Sequence, residues 1–227
     1  MRIPVTRYGL PQVVIYPAIT LVLIAALCIV LPLPAFLPAA AVLFLVFVWM
    51  ISFFRDPKRV IPLDENVLLS PADGTVTDIE ETECPELGGK ALRVGIFLSV
   101  FNVHVNRVPC SVNIEQVNYR KGKFKNAMAD DAGRVNESND IVMKRLAEPR
   151  ERLLVRQVSG AIARRIVCEA KIGKEYEQGA QFGMIKFGSR TELYVFLPEK
   201  DAAAFDIAVK PGDKVRAGLS PLLVYKS

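Results

Sequence analysis

Between Arg7 and Arg55 the chain runs for 47 residues (8–54) without one Asp, Glu, Lys or Arg. A run this long and apolar is enough for two bilayer spans and has no natural place in a small water-soluble core. All 24 acids and 27 of the 29 bases fall in residues 55–227. That asymmetry excludes a purely soluble globule, a disordered chain and a multi-span transporter. What it leaves is a membrane anchor, residues 1–54, and one water-soluble domain, residues 55–227, of a size that buries a sizeable core.

Within the apolar run, Val13–Leu31 gives 19 residues and Ala35–Phe54 gives 20, each roughly 28–30 Å as a helix. Pro32-Leu33-Pro34 between them removes backbone donors and favours a turn, so the reading is an α-helical hairpin with both ends on one side. Arg2, Arg7, Arg55, Lys58 and Arg59 flank it, which by the positive-inside rule puts that side, and the soluble domain, on the cytoplasmic face of the cell membrane. The segment Arg55-Asp56-Pro57-Lys58-Arg59 is expected among lipid headgroups. Two other readings stay open here: a signal peptide cleaved near Ala39–Ala41, and a re-entrant hairpin bent by Pro17, Pro32, Pro34 and Pro38. Cys28, Cys84, Cys110 and Cys168 show neither disulfide framework nor zinc spacing; no metal and no nucleic-acid partner is expected.

Residues 55–227 read as mainly β. Val94, Ile96, Leu98 and Val100 alternate as in a half-buried strand, and Leu193–Leu197 is a β-branched and aromatic run ending at Pro198. The polar stretch 120–140 reads as one long surface loop, either a solvated connection or a lid. An internal echo joins Gly173-Lys174 and Gly179 to Pro211-Gly212-Asp213-Lys214-Val215 and Gly218. Its strand–glycine–charge pattern resembles the hairpins of lipoyl- and biotinyl-type domains, where a lysine such as Lys214 would sit at a hairpin tip; a plain turn is the simpler alternative.

Three places can carry chemistry. His104 is the only histidine, in Asn102-Val103-His104-Val105-Asn106; strand alternation sets Asn102, His104 and Asn106 on a polar face, in solvent or in a cleft. Asp73 stands in Ser70-Pro71-Ala72-Asp73-Gly74, which taken alone is a hairpin-turn signal. Ser189 follows Gly188 without the Gly-x-Ser-x-Gly pattern of a hydrolase. A Gly-Ser bond nonetheless allows another reaction. The hydroxyl attacks the preceding carbonyl and converts amide to ester; β-elimination then splits the chain and leaves dehydroalanine, which hydrolyses to a pyruvoyl group with release of ammonia.

Taken in order, Phe53-Phe54-Arg55-Asp56-Pro57, Ser70-Pro71-Ala72-Asp73-Gly74, Phe101-Asn102-Val103-His104-Val105-Asn106-Arg107-Val108-Pro109, Gly122-Lys123-Phe124 and Phe187-Gly188-Ser189 resemble the short, prokaryotic-type phosphatidylserine decarboxylases. The resemblance implies a proenzyme that cuts itself at Gly188–Ser189 into a β chain, 1–188, and an α chain, 189–227, which remain together as a heterodimer, with a higher homo-oligomer possible in principle. It implies a pyruvoyl group made from Ser189, a Schiff base with the amine of phosphatidylserine, and release of carbon dioxide to leave phosphatidylethanolamine. Ser189, His104 and Asp73 are then the catalytic positions, with His104 returning a proton and Asp73 orienting it. Longer relatives carry a second histidine three residues after the first, where this chain has Arg107. Arg190, beside Ser189, Arg107 and Asn102 are the expected substrate-binding side chains. Two other functions remain compatible with the residues alone: a non-enzymatic membrane adaptor, and a pyruvoyl decarboxylase of another amine.

Overall fold

The computed structural model describes residues 4–126, 132–161, 165–186, 188–197 and 205–226. It divides into two compact units, Met1–Lys58 and Arg59–Ser227.

In the first unit, α1 (Leu10–Val30) and α2 (Leu33–Phe53) are separated by Pro32, whose extended backbone (φ −64°, ψ 150°) ends one helix and starts the next. The two ends of this hairpin are bonded to each other. The Thr6 N–H donates to the Phe54 carbonyl and the Asp56 N–H to the Pro4 carbonyl, both at 2.8 Å. Leu21, Val22 and Ile29 of α1 and Phe44 and Leu45 of α2 are exposed. Both helices are apolar on all sides, and both are long and apolar enough to cross a bilayer.

The second unit is mainly β. Its strands are β1 (Val67–Leu69), β2 (Gly74–Cys84), β3 (Gly89–Leu98), β4 (Val105–Arg107), β5 (Val112–Arg120), β6 (Ser138–Arg145), β7 (Arg152–Ser159), β8 (Arg165–Cys168), β9 (Glu175–Tyr176), β10 (Gln181–Lys186), β11 (Ser189–Phe196), β12 (Phe205–Ile207), β13 (Lys214–Val215) and β14 (Pro221–Tyr225). An eight-stranded sheet runs β13-β2-β3-β11-β7-β6-β5-β9, and two three-stranded sheets run β4-β10-β8 and β1-β14-β12. Every pairing between these strands among the described residues is antiparallel. The large sheet's order is the same from either end: a two-residue edge strand, a long hairpin, and one member of the central pair β11–β7.

The internal echo in the sequence is the mark of this symmetry. Each edge strand lies between two left-handed glycines, Gly173 (φ 77°) and Gly179 (φ 75°) around β9, Gly212 (φ 96°) and Gly218 (φ 69°) around β13. The second glycine of each pair meets the same side chain: a Cβ at 179 would lie 2.7 Å from Ile61, and one at 218 would lie 2.9 Å from it and 3.5 Å from the Gly179 Cα. The turns at the two edges therefore approach each other, and the sheet is curled. Lys214 is not at a hairpin tip. It lies in β13, opposite Thr75.

The inner face of the sheet carries Val94, Ile96 and Leu98 from β3, Leu193 and Val195 from β11, and Leu153 and Val155 from β7, with Phe182 of β10 and Leu222 and Leu223 of β14 packed in the same core. Alternation sends Leu154 and Tyr194 to the outer face, where a second cluster with Cys84, Leu87, Ala91 and Val142 covers part of it. The strands expected at 94–100 and 193–197 are present, although β3 ends at Leu98 and β11 at Phe196. The polar stretch 120–140 is not one surface loop. Arg120 ends β5, Ser138 begins β6, and Asn136, Ser138, Asn139 and Asp140 are buried. Residues 127–131 of that stretch, and Pro198, lie outside the described residues.

Asp73-Gly74 is not a hairpin turn either, because β1 pairs with β14 and not with β2. Gly74 is needed for space: a Cβ there would overlap the Phe97 carbonyl oxygen, a backbone atom that cannot step aside, and would crowd Ile96 Cγ2 at 2.9 Å. Gly74→Ala should therefore cost about 1–3 kcal/mol as an overpacked site. In detergent-solubilised protein this reads as a thermal midpoint lower by several degrees. An unchanged midpoint would show that β2 and β3 are not packed this closely.

Candidate active site

Only residues 187–188 connect β10, in the small sheet, to β11, at the centre of the large one. Phe187 lies outside the described residues. Gly188 adopts φ 63°, a left-handed conformation that glycine takes at no steric cost, and little crowds it on the side-chain side; the nearest atom to a Cβ there would be Val100 Cγ1 at 3.9 Å. Ser189 then enters the sheet between Leu98 and Ser159. Its hydroxyl is fully buried and, among the described residues, has no hydrogen-bond partner. A buried hydroxyl normally finds one, because leaving it unmade costs about 1–3 kcal/mol. A pocket of about 150 Å³, lined by Val100, Asn126, Gly160, Ala161 and Gly188 among others, opens beside the joint.

Strand β4 covers the inner face of β11. Asn106 donates to Thr191 Oγ1 at 3.1 Å and accepts from Gln157 Nε2 at 2.9 Å. Two residues earlier, the His104 carbonyl accepts from the Ile185 N–H at 3.3 Å. The segment is thus tied to the chain four residues before Ser189 and two residues after it. His104 is fully buried, which rules out a surface histidine. Its Nδ1 lies 2.9 Å from the Asn102 carbonyl oxygen. Facing an acceptor, Nδ1 carries the proton of the neutral ring, and Nε2 does not. Asn102 holds the turn that presents this carbonyl, its side-chain oxygen accepting from the Ser99 N–H and Oγ, each at 2.8 Å.

Asp73 is engaged elsewhere. Arg59 grips its carboxylate with two nitrogens, at 2.6 and 2.9 Å, and the Ala217 N–H donates to it at 2.8 Å. Arg59 itself is buried in this pair, so it is not the headgroup residue that its place after the anchor implied. The other half of the fold has the same arrangement without a charge. There the Gln178 N–H, also one residue before the second glycine, donates to Ser111 Oγ at 3.2 Å. A hydroxyl suffices to hold such a turn, so the carboxylate at 73 exceeds what the fold requires. Arg107 secures the meeting point of the turns: its Nη1 donates to the Gly179 carbonyl at 2.8 Å, and its Cδ packs on Gly218.

Arg190 differs most from expectation. Neighbours along a strand face opposite ways, and Arg190 extends from the outer face, away from Ser189. There it bonds Asp78 at 2.6 and 2.9 Å, Glu192 at 2.7 Å and Thr77 at 3.1 Å. Gly95 makes room for this crossing, since a Cβ would run into Arg190 and Asp78. Arg156 grips Asp140 close by, at 2.6 and 2.7 Å. Asp78, Arg156 and Arg190 line an outer cleft of about 660 Å³ with Arg93, Arg120 and Arg134. Burial would raise the Asp78 carboxyl, but Thr77, Arg190 and Arg93 hold it below its ordinary value. Arg190, Arg93 and Arg156 are each paired with a carboxylate here, which ties the outer face together.

Other nucleophiles near neutrality are poorly placed. Burial pushes the Cys84 thiol up to about 11 and the Cys110 thiol up to about 12, so both stay protonated. Among the described residues no three of His, Cys, Asp and Glu converge as metal ligands do.

Comparison with known proteins matches this arrangement to one family. A family model described as "Phosphatidylserine decarboxylase" matches residues 46–222. The chain belongs to the phosphatidylserine decarboxylase family. A relative named phosphatidylserine decarboxylase proenzyme, from Carboxydothermus hydrogenoformans, is 44% identical over 178 residues, covering 78% of this chain and 80% of that protein. Relatives of the same name from Rhodopirellula baltica and Desulfotalea psychrophila are each 38% identical, covering 99% and 96% of this chain and 89% and 94% of theirs. Members of this family are decarboxylases, and the relatives' names describe precursors. Sequence reasoning missed Arg59, Thr191 and Gln157 around the site. Only Asn106, on the polar side of the alternation at His104, carried a local signal.

The Arg59–Asp73 pair generates a test. Removing one member of a buried pair strands the other, at a cost of about 3 kcal/mol. Asp73→Asn should therefore lower the thermal midpoint markedly, and Arg59→Met combined with Asp73→Asn should recover much of the loss. Additive losses in the double variant would mean that the two side chains do not interact.

Proposed function

We propose that this protein decarboxylates phosphatidylserine to phosphatidylethanolamine after cutting itself between Gly188 and Ser189. The observation that carries the reading is the Ser189 hydroxyl, buried and unpartnered directly after a left-handed glycine. In a packed sheet such a hydroxyl is a liability for stability and an asset as a nucleophile. With no hydrogen bond to break among the described residues and little bulk at Gly188, it would attack the Gly188 carbonyl and convert the amide to an ester. Elimination then gives the Gly188 carboxylate and dehydroalanine at 189; addition of water and loss of ammonia leave the pyruvoyl group. The residues fit that group, since position 189 is enclosed between Leu98 and Ser159 and the residue before it, Gly188, lines a pocket. A pyruvoyl group supplies a carbonyl for the substrate amine and an electron sink for the departing carboxylate.

The remaining roles belong to the chain's own residues. His104, held through Nδ1 by Asn102, offers Nε2 to give and take a proton; such help is typically worth about 10²–10⁴-fold. Asp73 supplies a fixed negative charge balanced by Arg59, acting on the site's electrostatics rather than through a bond to Nδ1. Arg107 and Asn102 act as positioning residues, holding the turns and the imidazole. The α chain would bring β11 to β14, woven into two sheets, so the chains stay together after the cut. Anchoring by α1 and α2, with Arg7, Arg55 and Lys58 beside the membrane, favours a lipid substrate met on the cytoplasmic face over a soluble amine.

Turnover of phosphatidylserine in mixed micelles, followed as released carbon dioxide, tests the reading. The native protein should turn over, Ser189→Ala should not, and fully processed His104→Ala should be slower by at least ~10²-fold. Near-native turnover by processed His104→Ala would remove the histidine from the mechanism. Turnover by Ser189→Ala would overturn the whole proposal.

A further inference from the structure

The pocket beside Gly188 has an unusual rim. Phe101, immediately after Val100 of its lining, is 70% exposed; Phe124, two residues before Asn126 of the lining, is 42% exposed. Phe124 stands in Arg120-Lys121-Gly122-Lys123-Phe124-Lys125, with four cations and no acid in six residues. Lys121, Lys123 and Lys125 are all exposed.

This segment is braced rather than trailing. The Lys123 N–H donates to the Val135 carbonyl at 2.7 Å, and the Glu137 N–H to the Lys123 carbonyl at 3.0 Å. The Asn136 side chain bonds the Lys125 backbone N–H and carbonyl, each at 2.9 Å, and donates to the Ser159 carbonyl at 2.8 Å. Ser159 is the cross-strand partner of Ser189. Phe124 is therefore held out toward solvent by bonds that lead directly to the strand beside Ser189. Two large exposed rings, each within two residues of the lining of one pocket, gain nothing from water. Aromatic rings are favoured at the headgroup level of a bilayer, and lysines close to an anionic surface are attracted to it.

We infer that Phe101 and Phe124, with Lys121, Lys123 and Lys125, dock this rim into the surface of a bilayer containing anionic phospholipid. The pocket then opens at headgroup depth, and a lipid headgroup enters it without leaving the membrane. What enters rests on the function proposed above; the docking does not. The charge pattern commits the rim to an anionic lipid surface rather than to a protein, and the anchor of the same chain keeps that surface within reach.

Trp49 is the only tryptophan, so a reporter can be moved to the rim. Full-length protein carrying Trp49→Phe and Phe124→Trp is placed in nanodiscs of phosphatidylcholine with phosphatidylglycerol, and quenching by lipids brominated high on the acyl chain is measured. The emission should be blue-shifted and quenched at least ~2-fold, and the quenching should be lost when Lys121, Lys123 and Lys125 are changed to Glu. Phe101→Trp in the same Trp49→Phe background should report the same depth. Water-like, unquenched emission from both reporters overturns the inference. So does a blue shift that persists in lipid-free detergent and grows with protein concentration, which would mean that a second copy covers the rim. The measurement is repeated with Ser189→Ala added: quenching by the uncut protein separates docking from self-cleavage, so failure of one leaves the other readable.

Discussion

Strand β11 is fixed on both sides. It pairs along its length with β3 and β7, in the middle of an eight-stranded sheet, so its register cannot slip without turning Leu193 and Val195 out of the core. That constraint places Ser189. The strand begins at the serine, the preceding glycine takes a conformation other residues avoid, and two residues separate the small sheet from the large one. A hydroxyl in that position cannot move away to find a partner. The chemistry proposed for it uses an imbalance that the packing maintains.

The surrounding scaffold is built twice and used once. Two hairpins, two edge strands and two pairs of left-handed glycines meet around Ile61. In one half, Ser111 closes the turn with a hydroxyl. In the other, Asp73 does the same with a carboxylate and needs buried Arg59 to balance it. A fold that needed only the turn would have no reason to bury that ion pair, whose desolvation is costly. The asymmetry between Asp73 and Ser111 lies in the half of the fold that also carries Ser189.

Much of this was legible in the sequence, for identifiable reasons. The charge-free run at 8–54 marked the apolar hairpin because Pro32-Leu33-Pro34 divides it into two helix-length halves. Period-2 alternation marked β3, and a β-branched and aromatic run marked the end of β11. The spacing of glycines marked the matched turns, although their meeting at Ile61 depends on curling that no local pattern encodes. Arg190 was misplaced by proximity in sequence; in a strand, the neighbour of a buried inner residue faces out, and Asp78 and Glu192 take up its charge. The stretch 120–140 looked like a loop because its residues are polar, yet Asn136 and Asp140 are buried with partners of their own, in Lys125, Ser159 and Arg156. Arg59 was read as a headgroup residue because it follows the anchor; its partner, 14 positions away, is visible only in three dimensions.

The central claim is that the backbone breaks at the joint between β10 and β11 and that Ser189 loses its nitrogen there. The intact mass of the purified protein under denaturing conditions tests this most directly. The account predicts two chains, residues 1–188 and 189–227, the smaller one lighter by one ammonia than a chain beginning with serine. A single uncut chain in protein that turns over substrate would contradict it.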